Sequence, residues 1–341
     1  MTRRERVIQA ISHHETDIVP YTIWLTQEEH GRVTRYINDH GYKGDPNILQ
    51  RIRNHIYSVY YSGDANEMDG NPGYFQDDFG VIWNRSGVDK DIGIVSNHIL
   101  PEPVIKNIRM PELDAVDMDN RYKTLMANPD DVCKIGDIGF LIYERAWTLR
   151  GMENFFTDML WEPDFVDALL DQLCDYHMQI VDIALRNDVD GFLFSDDWGQ
   201  QKETIMGLKL WRRFIKPRMA RLFSRVKSEG KFVALHSCGD IHELFPDLID
   251  MGLDVYQTFQ PEIYDIRKIK REYGGYLSFW GGISTQRLLP YATPDEVKKT
   301  TREIMGIMSK NGGYIAGPTH CVPYDVPPEN VIALIETFES Q

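Results

Sequence analysis

Short apolar runs alternate with longer amphipathic stretches along most of the chain. From about residue 135 onward, each apolar run is followed by a stretch whose apolar positions have helical spacing. Short runs of this kind are typical of strands buried on both faces of a parallel sheet. We predict strands at residues 140–143, 191–194, 232–235, 254–256, 276–280 and 313–316. The intervening pattern predicts helices at about 150–186 (two helices), 208–229, 242–251, 264–272, 294–309 and 327–339.

The first 130 residues follow a less regular pattern. Apolar positions among charged residues predict a helix over residues 2–13, and the apolar run 18–21 predicts a buried strand. Between about 27 and 130 the chain contains a helical stretch, turn-rich segments and a strand-like run at 80–83. This pattern predicts insertions and antiparallel strands.

Strand and helix units that follow one another in series predict a parallel sheet covered by helices. With the N-terminal strand included, the count approaches eight, which favours a (β/α)₈ TIM barrel over an open doubly wound sheet. The first strand is not followed by Gly-x-Gly-x-x-Gly, so the main argument for a dinucleotide-binding fold is missing. We therefore predict an α/β protein with a single TIM-barrel domain over residues 1–341 and an elaborated N-terminal region.

Charge and composition narrow the class of protein. The chain has 341 residues, 42% of them hydrophobic, and a net charge of −15. The acidic balance argues against nucleic acids and anionic membranes as partners. It argues weakly against a polyanionic small molecule, unless a local basic pocket overrides the overall charge. The four cysteines are too scattered for a disulfide framework, and no apolar stretch has the length of a signal-peptide core or a membrane span. We expect a soluble cytoplasmic protein that binds neither nucleic acid nor membrane.

Polar residues follow most of the predicted strands. In a TIM barrel the carboxyl ends of all strands meet at one mouth, where the active site lies. We therefore expect these residues to surround a single functional site. They are Glu144 and Arg145, Ser195 to Gly199, His236 to Asp240, Gln257 and Gln260, Gly281 and Gly282, and Thr319 to Cys321.

His236 and Cys238 are the strongest candidates for metal ligands. They are two residues apart at a predicted strand end, and thiolate with imidazole is a donor set that Zn²⁺ prefers. A catalytic zinc needs a third protein ligand, which Cys321 or His320 could supply from the last strand. The alternative interpretation is structural, with Cys238 as a small buried hydrophobic residue and His236 as a hydrogen-bonded core histidine.

The charged residues at the strand ends also have two interpretations. Asp196 and Asp197 could act as a general acid and base, as a metal ligand or as a clamp for the substrate. Alternatively, one aspartate caps the next helix and the other is solvated. Arg145 could bind an anionic group through both of its terminal nitrogens. Its alternative is an ion pair with Glu144 or with an aspartate.

Taken together, several segments resemble the uroporphyrinogen decarboxylase superfamily over nearly the whole chain. No single segment is specific for the superfamily, but the combination is. The resemblance implies a (β/α)₈ barrel, in agreement with the strand count. The segments are residues 2–7, 17–20, 195–199, 236–240, 279–283, 312–314 and 325–331.

The superfamily contains two chemistries, and the chain resembles the corrinoid-linked methyltransferases more than the decarboxylases. Decarboxylases carry an Arg-Gln-Ala-Gly-Arg segment after the first strand, which binds a substrate with eight carboxylates. Here the corresponding residues are 21–27, and the next arginine is Arg32. A substrate of that charge would be left with unpaired buried anions. The resemblance to the methyltransferases assigns His236 and Cys238 as zinc ligands. The third is Cys321, with His320 as its substitute because the family cysteine aligns there.

The resemblance implies a zinc-dependent methyltransferase that moves a methyl group between a small methylated donor, such as an O-methyl compound, and the cobalt of a corrinoid. A separate partner protein is expected to carry the corrinoid, because the closest match to Asp-x-His-x-x-Gly, at residues 240–245, lacks the glycine. The alternatives are a metal-free decarboxylase of a tetrapyrrole or another carboxylic acid, and a non-catalytic ligand-binding barrel. We expect catalytic roles for Asp196, Asp197 and His320, and substrate contacts from Tyr143, Arg145, Trp198 and Gln257.

Overall fold

The computed structural model describes residues 1–40, 48–87 and 92–341. The chain forms two compact units, each built from separate stretches of sequence. The first unit comprises Met1–Tyr57, Pro129–Lys134 and Leu253–Gln341, and the second comprises Ser58–Asn128 and Ile135–Gly252. The assignment of residues 1–341 to one domain stays a prediction.

Strands and helices alternate from β6 onward. The strands are β1 (Ile56–Tyr61), β2 (Ala65–Glu67), β3 (Tyr74–Asp77), β4 (Ile82–Asn84), β5 (Ile94–Val95), β6 (Cys133–Ile138), β7 (Gly191–Ser195), β8 (Phe232–His236), β9 (Val255–Phe259), β10 (Ser278–Ile283) and β11 (Tyr314–Pro318). The helices are α1 (Arg3–Ile11), α2 (Gln27–His40), α3 (Ala115–Met126), α4 (Tyr143–Arg150), α5 (Met152–Trp161), α6 (Pro163–Ala184), α7 (Gly207–Leu210), α8 (Lys216–Ser228), α9 (Phe245–Asp250), α10 (Ile266–Tyr273), α11 (Leu288–Tyr291), α12 (Pro294–Met308) and α13 (Pro328–Glu339).

In the second unit, β1, β6, β7 and β8 lie side by side in chain order. β6 pairs with β7 and β7 with β8, in both cases parallel. All but the last residue of β7 and of β8 are buried, because helices such as α6 and α8 cover the sheet. A parallel strand buried on both faces is a nearly continuous apolar run, so the sequence pattern was informative here. The parallel sheet and its covering helices are confirmed.

A small antiparallel sheet, in the order β2-β3-β4-β5, occupies part of the predicted N-terminal elaboration. Asp77, at the end of β3, holds the following turn. Its carboxylate accepts hydrogen bonds from the backbone N–H groups of Phe79 and Val81, both 3.0 Å, and from the Trp83 indole, also 3.0 Å. The expectation of antiparallel strands between residues 27 and 130 is confirmed.

In the first unit, β9, β10 and β11 are parallel and in chain order. The predicted N-terminal strand is an extended segment in which Tyr21 forms a parallel bridge to Ala316 of β11. On its other side, the Tyr21 carbonyl accepts from the His55 N–H (3.0 Å), just before β1 begins. The segment therefore lies where a TIM barrel has its first strand. The order of strands and helices is TIM-barrel-like, with seven strands assigned in the described parallel series; the count of eight is not confirmed.

The strand predicted at residues 140–143 is wrong. The strand at this position in the series is β6, which ends at Ile138, and Tyr143 is already the first residue of α4. Lys134 and Asp137 interrupt the apolar pattern of β6, although Asp137 is buried. Burial raises the pKa of Asp137 to about 7, and the Ser58 hydroxyl lies 3.4 Å from its carboxylate. The apolar run 140–143 is buried as the turn that leads into α4.

The predicted helices after residue 150 are confirmed, with local differences. The helix expected at 208–229 consists of α7, a π-helical turn at Trp211–Ile215, and α8. The helix expected near 242–251 starts as a 3₁₀ turn at His242–Leu244 before α9. Within residues 1–40, 48–87 and 92–341, no helix combines the length and the apolar character that crossing a membrane requires.

Candidate functional site

The loops after β7 and β8 lie next to each other in the second unit. Ser195 pairs with His236 at the ends of the two strands. Beyond them, the Asp196 N–H donates to the His236 carbonyl (3.1 Å) and the Gly199 N–H to the Cys238 carbonyl (3.2 Å). The parallel pairing therefore continues past the strands. It brings the two sequence motifs, which are about 40 residues apart, into direct contact.

Two glycines allow this close approach. Gly239 has a φ of +81°, in the left-handed region that glycine adopts without strain. A Cβ atom on Gly199 would lie 2.5 Å from the carbonyl carbon of Gly239, and one on Gly239 would lie 2.2 Å from that of Gly199. A side chain at either position would push the two loops apart. The glycines therefore fix the separation of the polar residues that precede them.

His236 and Cys238 have the geometry of two ligands of one metal ion. The Nε2 atom of His236 lies 3.7 Å from the Sγ atom of Cys238. Tetrahedral zinc, with bonds of about 2.3 Å to sulfur and about 2.0–2.1 Å to nitrogen, separates two such donors by about 3.6 Å. Both side chains are only partly buried, so an ion could reach them. The donor set and its spacing fit Zn²⁺.

Asp197 lies beside both of these residues. Its Oδ1 atom is 3.6 Å from His236 Nε2 and accepts a 2.7 Å hydrogen bond from the Cys238 N–H. The carboxylate thereby holds the Cys238 loop in place and adds negative charge next to the two donor atoms. Groups that hold the backbone or the side chain of a metal ligand in place contribute to metal affinity.

Asp196 has a different role from its neighbour. Its carboxylate is fully buried and accepts from the N–H groups of Tyr143 (2.9 Å) and Glu144 (2.8 Å) and from the Trp198 indole (2.8 Å). Burial raises the pKa of Asp196 to about 6, although these three donors favour its charged form. Asp196 thus caps the N-terminus of α4, an earlier helix and not the next one. The contact that the structure shows for Asp196 is therefore the capping of α4, and its catalytic role stays a prediction.

Replacing Asp196 by Asn is expected to lower the free energy of unfolding by about 1–3 kcal/mol, since the amide leaves one buried N–H without an acceptor. Chemical denaturation followed by circular dichroism measures the change. Asp250, an exposed aspartate of the same unit, provides the control. Asp250→Asn should change the stability by less than about 0.5 kcal/mol. Equal effects of the two substitutions would argue against the capping role.

Glu144 was expected near the site as a polar residue after a strand, but no role was assigned to it. It occupies the first turn of α4, where Asp196 holds its backbone N–H. Burial raises the pKa of Glu144 well above its ordinary value, and the nearby carboxylates of Asp197 and Asp196 raise it further. A carboxyl group whose pKa is raised holds its proton more strongly, as general acids in active sites do. The interpretation of residues 140–143 as a strand placed Glu144 among the polar residues at a strand end, but no sequence signal predicted its burial beside two other carboxylates.

The observed contacts of Tyr143 and Trp198 are internal, and their expected substrate contacts stay predictions. Both side chains are buried, with exposures of 1% and 0%. The Trp198 indole donates to Asp196, and its ring packs edge-on against Trp211. The Tyr143 ring packs beside Phe155. These contacts pack Trp198 within the loop after β7 and Tyr143 at the start of α4.

Arg145 forms the ion pair of the alternative interpretation, and its partner is Asp77. The Nη1 atom donates to Asp77 Oδ2 at 2.6 Å, and both side chains are almost completely buried. The Nη2 atom donates to the Ser62 carbonyl, and the guanidinium lies 4.1 Å from the centre of the Phe79 ring. Arg145 therefore connects α4 to the antiparallel sheet. This corrects its expected role in binding an anionic substrate group.

The remaining candidates belong to the first unit. Gln257 is buried within β9, and Gln260 follows the end of that strand. His320 is exposed and Cys321 is partly buried, and both come directly after Thr319, the residue that follows β11. These residues thus lie at carboxyl ends of parallel strands, as expected. A substrate contact by Gln257 and metal binding by His320 or Cys321 stay predictions.

Residues 146–341, more than half of the chain, match the family model described as Uroporphyrinogen decarboxylase (URO-D). The chain belongs to the uroporphyrinogen decarboxylase family. The relatives that the chain matches are named either as a methyltransferase or as decarboxylases.

One relative is a methylated-thiol–coenzyme M methyltransferase from Methanosarcina mazei, 23% identical over 190 residues, which are 56% of this chain and 48% of that protein. Two others are uroporphyrinogen decarboxylases. The enzyme of Methylococcus capsulatus is 24% identical over 178 residues, 52% of this chain and 49% of that protein. The enzyme of Geobacillus kaustophilus is 25% identical over 238 residues, 67% of this chain and 66% of that protein. The chain thus spans about half of the first two relatives and about two thirds of the third.

The fold of this family member is also found in a solved structure. A methyltransferase from Methanosarcina mazei superposes with a TM-score of 0.70 at 16% identity, over 100% of this chain and 99% of that one. The likeness shows the shared fold. In this member of the uroporphyrinogen decarboxylase family, the second unit combines a zinc-type donor pair, a carboxylate beside it, and a buried acid whose pKa is raised.

Proposed function

We propose that this protein is a zinc-dependent methyltransferase that moves a methyl group between a small methylated donor and the cobalt of a separate corrinoid protein. The 3.7 Å spacing of His236 Nε2 and Cys238 Sγ carries the proposal, because it matches two ligands of one tetrahedral zinc. Support also comes from the relative in Methanosarcina mazei, which is named as a methyltransferase of methylated thiols.

We further propose Cys321 as the third ligand, with His320 as its substitute. Both residues directly follow the end of β11, and thiolate or imidazole would complete a donor set typical of catalytic zinc. When bound, zinc would act as a Lewis acid that withdraws charge from the heteroatom to which the methyl group is attached.

The residues of the second unit have distinct roles in this proposal. Asp197 holds the Cys238 backbone and thereby orients its thiolate. Glu144 donates its proton to the heteroatom of the donor, an oxygen in an O-methyl compound. When the bond to the methyl carbon breaks, its electron pair stays on that oxygen, and the proton neutralises the developing charge. The methyl carbon would pass to the Co(I) of the partner protein, which would supply both electrons of the new bond. Asp196 is a positioning residue that fixes the backbone of Glu144.

Decarboxylation of uroporphyrinogen is the alternative activity that the names of two relatives suggest. Such a substrate carries eight carboxylates and needs several cations around it. In this chain Tyr21, Thr22 and Ile23, which lie where the decarboxylases have their arginine-rich segment, are buried, with exposures of 2–4%. The local chemistry therefore favours a less charged substrate.

The proposal is tested with the purified protein and free Co(I) cobalamin as methyl acceptor. We expect methoxylated or methylthiol donors to consume Co(I), followed by its absorbance, at a rate that requires the protein. Treatment with a strong chelator should abolish the reaction, and added Zn²⁺ should restore it. Conversion of uroporphyrinogen with release of CO₂, or methyl transfer at full rate after verified zinc removal, would contradict the proposal.

A further inference from the structure

The first unit contains a cavity of about 550 Å³, apart from the candidate site described above. The charged side chains that line it are cationic. Two of its cations, Lys270 and Arg271, come from the last turn of α10. The glycines that follow α10 and the loop that follows α12 form other parts of the wall, and Ile307 provides an apolar patch. The lining cations and imidazole are Arg267, Lys270, Arg271, Lys310 and His13.

Among the described residues, these cations have fewer and more distant acidic partners than the basic residues of the second unit. Within the described ranges, Arg267 and Lys310 form no ion pair. Lys270 makes one hydrogen bond, 2.6 Å from Nζ to the Gly312 carbonyl. Arg271 has only its exposed sequence neighbour Glu272, at 3.8 Å. By contrast, Arg225 and other cations of the second unit contact carboxylates at about 2.6–2.9 Å.

Clustered like charges raise the free energy of a protein unless an ion of opposite sign binds among them. The cluster is unusual here because the chain as a whole carries a net charge of −15. Burial also lowers the pKa of Lys270 to about 8, which a bound anion would reverse. A cluster of cations in an otherwise acidic protein therefore favours the binding of an anion in this cavity.

The cavity lies at the end of the strands opposite to the candidate site residues of this unit. Gly274 and Gly275 precede β10, and Asn311 precedes β11, so the lining belongs to the amino ends of these strands. His320 and Cys321 follow the carboxyl end of β11. A five-residue strand at about 3.3 Å per residue separates its two ends by roughly 16 Å. The cavity and the candidate metal ligands of this unit are therefore separate places.

We propose that this cavity, lined by Arg267, Lys270, Arg271 and Lys310, is a binding site for a small organic anion that carries at least two phosphate groups. Arginine binds phosphate oxygens through a planar fork and lysine through a compact charge, so the mixture suits several phosphate groups. Cavities of about 300–1,000 Å³ hold small ligands, and this one is within that range. Its concave form favours a small anion over the extended surface of a macromolecule, and Ile307 can contact an apolar part of it.

Inorganic pyrophosphate is the probe for a calorimetric titration of the full chain at low ionic strength. We expect saturable binding of one pyrophosphate per chain that weakens steeply with added salt. Arg267→Glu combined with Lys310→Glu reverses two exposed cations and should weaken binding at least tenfold without affecting the fold. The control combines Lys268→Glu with Arg302→Glu, which are exposed cations outside the lining and give the same change in net charge.

The proposal is supported if the native chain binds pyrophosphate, the double variant of the cavity weakens this binding, and the control double variant changes it by less than about twofold. Equal weakening by both pairs, or no saturable binding to the native chain, would overturn it. Two sources of phosphate are distinguished by competition. Displacement of pyrophosphate by a soluble nucleoside diphosphate assigns a free phosphorylated ligand, and displacement only by vesicles containing phosphatidylinositol bisphosphate assigns a lipid headgroup. Binding to vesicles without any binding of pyrophosphate would contradict the proposal that this cavity is the anion site.

Discussion

Cys238→Ser is expected to lower the zinc affinity of the protein and its methyl-transfer rate by more than about 100-fold. Even residues that only orient metal ligands cost about 10- to 100-fold when they are removed, and Cys238 is proposed as a direct ligand. The stability should change little, because Cys238 lies in a loop after β8 and is only partly buried. Zinc per chain, measured by mass spectrometry after dialysis against a competing chelator, checks this prediction.

Cys174→Ser is the matched control for this experiment. Cys174 is buried in α6, and its Sγ atom lies 3.6 Å from the Arg218 carbonyl, so it has no role in metal binding. We expect this variant to retain its zinc. The third ligand is identified by comparing Cys321→Ser with His320→Ala, since only the true ligand should reduce the zinc content. Full zinc retention by Cys238→Ser would refute the assignment of the metal site.

Much of the second half of the fold could be predicted from the sequence because its parallel strands are buried on both faces. β7 and β8 are short apolar runs bounded by polar residues, a pattern that is typical of buried parallel strands. His236 and Cys238 were predicted as metal ligands from their spacing of two residues at the end of one such strand, β8. Their spacing in the structure fits this prediction, and metal binding itself stays a prediction.

Contacts between distant parts of the chain could not be predicted. Asp196 caps a helix that begins 53 residues earlier, and the buried partner of Arg145 is 68 residues away. Neither pairing leaves a periodic signal in the sequence. The misplaced strand at 140–143 had a further consequence, because it assigned Glu144 and Arg145 to the end of a strand, whereas both belong to α4. The raised pKa of Glu144 depends on burial and on two carboxylates that only the fold brings near it.

The net charge indicates that the surface as a whole is acidic, but it does not indicate where positive and negative side chains cluster. A value of −15 argues against polyanionic ligands in general. Three of the cationic residues lie in the basic segment 267–271, but nothing in the sequence indicates that Lys310 and His13 join them at one cavity. Only the turn after α10 and the loop after α12 bring Lys270 and Lys310 to the same cavity.

Asp77→Ala is expected to lower the free energy of unfolding by about 3–5 kcal/mol, because it leaves the buried guanidinium of Arg145 without its counter-charge. The same substitution removes the acceptor for the N–H groups of Phe79 and Val81 and for the Trp83 indole. Urea denaturation followed by circular dichroism measures the loss. Asp175→Ala is the control, since Asp175 forms an exposed pair with Arg221 and should cost at most about 1 kcal/mol.

A double variant separates the two contributions of Asp77. In Arg145→Met with Asp77→Ala, no buried charge is left unpaired, while the three N–H groups still lack their acceptor. We expect the double variant to be more stable than Asp77→Ala alone, because replacing both members of a buried ion pair by apolar groups costs less than removing one. A double variant that is as unstable as the single one would show that Asp77 acts mainly as a hydrogen-bond acceptor for the turn after β3. A loss below about 1 kcal/mol for Asp77→Ala itself would contradict the central role of the pair in connecting α4 to the antiparallel sheet.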